Sequence, residues 1–275
     1  MTFAAATAVT ARDENTFDAE ITAGWEIAGN ANGGYLLAIA ARAVTAATGR
    51  PDPVTITGHF LAPGHAGPAT VAVDVIRRGA RHATATFTMT AEERTLLVGV
   101  ATTTDLAAAS GPTLVDATHP DLPSPDECAP LEPGDPLPPP FVGRVEIRLH
   151  PDDVPFRDGE PTGVARMRGW FRLRDGEPLD TVALVQAVDA FPPTSFNASL
   201  PVGWTPTIEL TAHVRRVPQP GWLACAFVTR NISGGYLETD GEIWDASTVL
   251  VAQSRQLQLV PVPVPRSDGG EPNRR

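Results

Sequence analysis

An acid and an amide stand inside apolar, strand-like stretches in the second half of this 275-residue chain. Glu209 lies in the run Thr-Ile-Glu-Leu-Thr, and Gln256 lies near the end of Leu-Val-Ala-Gln-Ser-Arg-Gln-Leu. A carboxylate in an apolar setting has a raised pKa and can act as a general base. A glutamine amide can donate to and accept from one water molecule. The pair indicates a site that activates water, unless both side chains face solvent at a sheet edge.

A second candidate is the pair Gly33-Gly34, which opens the apolar run YLLAIAARAVTAAT. The first N–H groups of a helix lie at the positive end of its dipole and can stabilise a developing oxyanion. The other predicted helix begins at Asp180-Thr181, where a carboxylate would repel an anion. We therefore expect the oxyanion donors on the first half and the base on the second. Asp189, late in that helix, either faces the cleft or is a buried, capped or paired structural acid.

Several catalytic classes are excluded by what the sequence lacks. All 21 basic residues are Arg, so neither Schiff-base lysine chemistry nor a P-loop lysine is available. No serine lies in G-x-S-x-G, and the six His lack ligand spacing, so no metal site is expected. The net charge of −11 leaves no basic field for a nucleic acid or an anionic membrane. Two cysteines and an N-terminus without a basic leader predict a reduced, cytoplasmic protein.

Periodicity predicts the elements that position these residues. The Ala-rich run after Gly34 predicts a buried helix of roughly four turns. The run TVALVQAVDAF predicts a second helix, capped by Asp180 and stopped by Pro192-Pro193. Alternating or apolar runs predict strands at Thr55–Leu61, Val71–Arg77, Ala83–Thr90, Leu96–Thr103, 144–150, 166–174, Thr207–Arg215, Trp222–Thr229, Tyr236–Trp244 and Thr248–Leu259.

The two halves repeat one order of elements. His59 and His213 are 154 residues apart, and Leu97-Val98 and Leu250-Val251 are 153 apart. Two copies of a helix with an antiparallel sheet predict a duplicated α+β fold. Ten of the 28 prolines fall within residues 112–140, where they oppose regular ladders. We predict domains at 11–108 and 142–262, a Pro-rich linker at 109–141 and a tail at 263–275.

Three runs give the chain a resemblance to a known family. They are N-A-N-G-G-Y-L-L-A at 30–38, H-F-L-A-P-G at 59–64, and G-E-I-W-D-A-S-T-V-L-V-A-Q-S-R-Q-L at 241–257. They resemble the acyl-CoA thioesterase II-like family over about residues 14–260. The resemblance implies a double hotdog, in which two fused domains each wrap a long helix in an antiparallel sheet. It also implies an acyl-CoA thioesterase with no cofactor, acyl-CoA as partner, and homo-oligomers.

The resemblance implies roles for particular residues. In the family a carboxylate, a hydroxyl and a glutamine hold one water that attacks the thioester directly. The carboxylate position falls on Glu209 and the glutamine on Gln256. The hydroxyl position falls on Arg230, so Thr229 or Asn231 beside it takes that role. Asn32, Gly33 and Gly34 are then the oxyanion and substrate-binding residues. Two alternatives stay open, a hotdog enoyl-CoA hydratase and a non-catalytic acyl-CoA-binding protein.

Overall fold

The computed structural model describes residues 1–134 and 138–261. The predicted tail 263–275 and residues 135–137 of the predicted linker lie outside the described residues. The helices are α1 Phe3–Ala6, α2 Gly33–Thr48 and α3 Thr181–Ala187. The strands are β1 Val9–Ala11, β2 Thr16–Ile21, β3 Glu26–Ile27, β4 Asn30–Ala31, β5 Asp52–Phe60, β6 Gly67–Arg78, β7 Ala83–Ala91, β8 Arg94–Thr104, β9 Ala129–Pro130, β10 Val145–Leu149, β11 Arg166–Leu173, β12 Thr207–Val214, β13 Leu223–Val228, β14 Ile232–Ser233, β15 Tyr236–Trp244 and β16 Leu250–Leu259.

One antiparallel sheet runs through both halves. Its order is β1-β2-β6-β7-β8-β5-β12-β16-β15-β13-β11-β10-β9, with β14 paired to β15. The first half contributes β1 to β8 apart from the small β3-β4 ribbon, and the second half contributes the rest. The halves join where β5 pairs with β12. The predicted α+β class with antiparallel sheets is confirmed.

The join between the halves shows the duplication directly. Thr57 and Thr211, 154 residues apart, are opposite each other in the β5-β12 ladder, and their hydroxyls bond at 2.8 Å. On either side, His59 pairs with Glu209 and Thr55 pairs with His213. The repeat relates His59 to His213 and Thr55 to Glu209, so a half-turn about the Thr57–Thr211 contact carries one pair onto the other. A pseudo-twofold axis therefore passes through this contact.

Helix α2 forms where the sequence predicts it and fills the centre of the first half. Asn32 caps it, its Oδ1 accepting from the Tyr35 N–H at 2.9 Å. Gly49 ends it with a φ of 68°, a left-handed conformation that glycine adopts at little cost. Most of the helix is buried against β5, β6, β7 and β8. Burial on nearly all sides explains why its sequence is Ala-rich and almost uncharged.

Helix α3 is shorter than predicted. Asp180 caps it as expected, accepting from the Ala183 N–H at 2.8 Å, but the helix ends at Ala187 instead of running to Phe191. After Val188, the N–H groups of Asp189 and Ala190 donate to the carbonyls three residues back, Gln186 and Ala187, so the α-helical pattern gives way to tighter turns. The chain turns away after Val188, and the residues from there to Thr194 line a cavity.

The segment between the halves is irregular in its described part. It holds the two-residue strand β9 and short 3₁₀ turns at Pro125–Glu127 and Pro140–Gly143. The domain boundaries given above remain predictions. None of the described helices is long and apolar enough to cross a membrane.

Candidate active site

Asp189 lies just beyond α3 and is held by groups from both halves of the chain. Its Oδ2 accepts from the backbone N–H of Gly34 at 2.7 Å and from Asn32 Nδ2 at 3.1 Å. Its Oδ1 accepts from Gln256 Nε2 at 2.8 Å. Asn32 Nδ2 also donates to the Asp189 carbonyl at 3.1 Å. The Asp189 carboxylate thus links the start of α2 to the end of α3.

The glycine pair permits this close approach. A Cβ on Gly34 would lie 2.8 Å from Asp189 Cβ and 3.1 Å from the Gln186 carbonyl oxygen. A Cβ on Gly33 would lie 3.0 Å from Asp189 Oδ2 and 3.2 Å from the Phe60 ring. Because real Cβ contacts are rarely this short, the helix start has to be glycine for the carboxylate to reach the Gly34 N–H.

Gln256 and Thr207 complete the polar cluster. Gln256 Nε2 donates to Thr207 Oγ1 at 2.7 Å as well as to Asp189. Thr207 faces the interior because the β12-β16 register shifts between Thr207 and Glu209, where Ile208 is the extra residue. In a regular strand Thr207 and Glu209 would point to the same face. The bulge separates them and places the Thr207 hydroxyl beside Gln256.

A cavity of about 940 Å³ opens onto this cluster. Asn32, Gly33, Asp189, Thr207 and Gln256 line it together with residues of both halves and of the segment between them. Much of its wall is aromatic, from Phe60, Phe141, Phe156, Phe191, Phe196, Trp204 and Phe227. An apolar cavity with a few convergent polar groups is the usual form of a small-molecule site.

Burial raises the pKa of Asp189 from 3.8 to about 6, and the hydrogen bonds from Gly34, Gln256 and Asn32 hold it from rising further. The carboxylate is therefore ionised at neutral pH yet basic enough to take a proton. Among the described residues, no three His, Cys, Asp or Glu side chains are placed to hold a metal ion.

Comparison with known proteins assigns the chain to a family. Residues 21–104 match the model of the acyl-CoA thioesterase N-terminal domain, and residues 125–260 match that of the C-terminal domain. The chain belongs to the acyl-CoA thioesterase family.

Three known proteins are similar to this chain over most of its length. A crystal structure from Thermobifida fusca, assigned as a thioesterase II, is 33% identical, with a TM-score of 0.87, and the match covers 95% of this chain and 98% of that one. A hot dog structure from Alicyclobacillus acidocaldarius is 22% identical, with a TM-score of 0.84 over 95% and 98% of the two chains. An uncharacterized protein of Mycobacterium tuberculosis is 27% identical over 89% of this chain and 91% of its own. The fold is a double hotdog and the protein is a thioester hydrolase.

The expectation that Glu209 and Gln256 share a water in this thioesterase is wrong. Glu209 pairs with Leu257, the neighbour of Gln256, so Glu209 and Gln256 lie on opposite faces of the sheet. Gln256 is buried, whereas Leu257 is 37% exposed. On the outer face Glu209 lies opposite His59 and accepts a hydrogen bond from the Thr211 hydroxyl.

The structure separates the other two predicted residues from Gln256. Thr229 is buried and bonds to the hydroxyls of Thr194 at 2.7 Å and Thr239 at 3.0 Å. Asn231 is exposed and donates from Nδ2 to Glu238 at 3.1 Å. Neither has a hydrogen bond with Asp189 or Gln256 among the described contacts. The structure does bring together Asn32, Gly33, Gly34 and Gln256, as expected.

Sequence reasoning expected Glu209 beside Gln256, whereas the structure places Asp189 there, and it missed Thr207. The sequence offered Asp189 as an acid that either faces the cleft or is structural, and it gave no means of choosing between the two. Thr207 gave no signal, because its direction depends on a bulge that periodicity does not show.

Proposed function

We propose that the protein hydrolyses acyl-CoA to the free acid and coenzyme A by direct attack of one water molecule activated at Asp189. The observation that carries the proposal is the buried carboxylate at the cavity wall, held by donors from both halves. Its raised pKa is that of a general base working near neutral pH. A thioester needs little more than a base and a polarised carbonyl, so this cluster is sufficient for the chemistry.

The reaction assigns one task to each group. Asp189 takes a proton from water as the water oxygen bonds to the carbonyl carbon. Gln256 and Thr207, bonded to each other at 2.7 Å, orient that water. The tetrahedral intermediate then expels the thiolate as the C–S bond breaks, and the proton on Asp189 passes to the sulfur. The acid and the thiol leave, and the carboxylate is ionised again.

The N–H groups of Gly33 and Gly34 have different roles in this reaction. The Gly34 N–H donates to Asp189 at 2.7 Å, so it orients the base instead of serving the oxyanion. The Gly33 N–H, one residue nearer the helix start, is the backbone donor that we assign to the oxyanion. The positive end of the α2 dipole supports a negative charge there. The acyl group then occupies the aromatic part of the cavity.

Thiol release from a panel of acyl-CoA esters, with mass spectrometry of the products, tests the proposal. We expect free coenzyme A and the free acid without added metal or organic cofactor. A product heavier by one water with no thiol would indicate a hydratase, and binding without any product would indicate an acyl-CoA-binding protein. A hydratase would use an Asp–His pair, whereas no histidine is among the described residues that line the cavity.

Two further expectations accompany this function. The outer sheet face exposes Val100, Tyr236, Leu257 and Leu259, so we propose that homo-oligomers form through it. Light scattering during size-exclusion chromatography would give the mass, and a monomer at micromolar concentration would contradict this. Cys128 and Cys225 are free and buried, in keeping with the proposed cytoplasmic location.

A further inference from the structure

A row of hydrogen-bonded polar side chains runs along the largely apolar wall of the cavity. Thr194 bonds to Thr229 at 2.7 Å, Thr229 to Thr239 at 3.0 Å, and Thr239 to Gln258 Oε1 at 3.2 Å. All four residues are buried, and Thr194, Thr239 and Gln258 line the cavity. The water-activating cluster does not include any of them.

The number of hydroxyl protons fixes the direction of donation along this row of hydrogen bonds. The Gln258 Oε1 atom can only accept, so Thr239 donates its single hydroxyl proton to it. Thr239 must then accept from Thr229, and Thr229 must accept from Thr194. Every hydroxyl proton is then used, and the last hydrogen bond holds the Gln258 Oε1 atom toward Thr239.

This arrangement leaves the Gln258 Nε2 group directed away from Thr239. It has no hydrogen-bond partner within residues 1–134 and 138–261, and it is not fully enclosed by the atoms of those residues. Since Gln258 lines the cavity and is only 6% exposed, the two N–H donors are available to a group inside the cavity. A buried donor of this kind is costly unless a partner reaches it.

The distance between Gln258 and Gln256 indicates which part of a substrate would accept a hydrogen bond from Gln258. Gln258 follows Gln256 by two residues on β16, and both face inward. Two strand residues span about 6–7 Å, and a hydrogen bond to Gln258 takes up about 3 Å of that distance. The bonded atom therefore lies about 4 Å from the thioester carbonyl carbon, which is the distance of an oxygen carried on the third carbon. If the thioester carbonyl lies at the Asp189–Gln256 cluster, the Gln258 amide reaches an atom bonded near the third carbon of the acyl chain.

We propose that Gln258 is a specificity-determining residue that donates to an oxygen on carbon 3 of the acyl group. The favoured substrates are then 3-hydroxy- or 3-oxoacyl-CoA esters, in preference to unsubstituted ones. The inference rests on the proposed function, since it places the thioester at Asp189. Thr239 acts through Gln258 as a positioning residue.

The test compares kcat/KM for 3-hydroxyoctanoyl-, 3-oxooctanoyl-, 8-hydroxyoctanoyl- and octanoyl-CoA. We expect the wild type to prefer either 3-substituted ester over octanoyl-CoA by about tenfold, the value of one good hydrogen bond, and not to prefer the 8-hydroxy ester. Gln258→Met keeps the length of the side chain and removes the donor, so this preference should disappear. No preference in the wild type, or an equal loss on all esters in the variant, would overturn the inference.

Two more variants keep the test decisive if Gln258→Met folds poorly. Thr239→Val removes the bond that orients Gln258 and should reduce the preference, whereas Thr239→Ser keeps the hydroxyl and should retain it. Gln253→Met is the matched control, because Gln253 is on the same strand but bonds to Arg215 and Glu242 on the outer face. Hydrolysis of octanoyl-CoA with no 3-substituent preference would refute this inference alone, whereas failure to hydrolyse any ester would refute the proposed function.

Discussion

The carboxylate of Asp189 has to be ionised before it can take a proton from water. Because burial raises its pKa to about 6, the fraction of active enzyme falls as the pH falls through that value. We expect kcat/KM on an acyl-CoA to be level above pH 7 and to fall about tenfold per pH unit well below pH 6. A profile that stays level down to pH 4.5 in a protein that remains folded would contradict the assignment of Asp189 as the base.

Thr207 and Thr229 are the two candidates for the hydroxyl of the water-binding set. Thr207 bonds to Gln256, whereas Thr229 bonds to two other threonines. Thr207→Val should therefore slow the hydrolysis of octanoyl-CoA by more than about tenfold, the cost of one good hydrogen bond. Thr229→Val should slow it less. The reverse order in steady-state rates would restore Thr229 as the third member of the water-binding set.

Single residues were the hardest feature to predict from the sequence. Gln256, Asn32 and Gly34 were found because their motifs are local, and the structure joins all three to one carboxylate. Glu209 was chosen because an acid in an apolar strand looks buried, but a strand has two faces and periodicity alone does not say which face is inside.

At the scale of elements, the contact between the start of α2 and the end of α3 depends on Gly34. A Cβ there would lie 2.8 Å from Asp189 Cβ. Gly34→Ala should therefore lower the free energy of unfolding by about 1–3 kcal/mol, as overpacking usually does, and should also lower kcat/KM by displacing the base. Urea unfolding and steady-state kinetics measure the two effects.

Gly143→Ala is the control for that substitution. A Cβ on Gly143 would meet Pro133 Cγ at 3.6 Å, an ordinary contact. Its stability and activity should stay close to those of the wild type. If Gly34→Ala behaves in the same way, the close approach of the two helices does not constrain the site.

Most elements could be predicted from the sequence, but two local irregularities could not. The strands of both halves follow alternation, and α2 follows from its Ala-rich run and its caps. The early end of α3 and the bulge at Ile208 depend on tertiary packing, which no window of residues shows. These two irregularities open the cavity and turn Thr207 toward it, so the site was less predictable than the fold.

At the scale of the whole molecule, the two halves share one sheet and one core. Five residue pairs join β5 to β12, and one continuous cluster of buried apolar side chains includes residues of both halves. We therefore expect urea to unfold the chain in a single transition, with tryptophan fluorescence and circular dichroism changing together. Hydrogen exchange should show α2 and α3 opening at the same urea concentration. Separate transitions for the two halves would contradict a common core.

The duplication was visible in the sequence because its offset of 154 residues recurs in His59 and His213. The structure adds that Thr57 and Thr211 face each other at the pseudo-twofold axis. What the repeat could not reveal is the asymmetry between its copies. The long α2 fills its own half, whereas the short α3 leaves room for a cavity and delivers Asp189 to it.

A comparison of Asp189→Asn with Glu209→Gln tests the central claim most directly. Each substitution removes one carboxylate charge and nearly preserves the shape of the side chain. Thiol release from octanoyl-CoA at pH 8 should fall by about 10²–10⁴-fold in Asp189→Asn, the usual contribution of a general base, and should be unchanged in Glu209→Gln. Full activity in Asp189→Asn, with the loss in Glu209→Gln instead, would contradict the account.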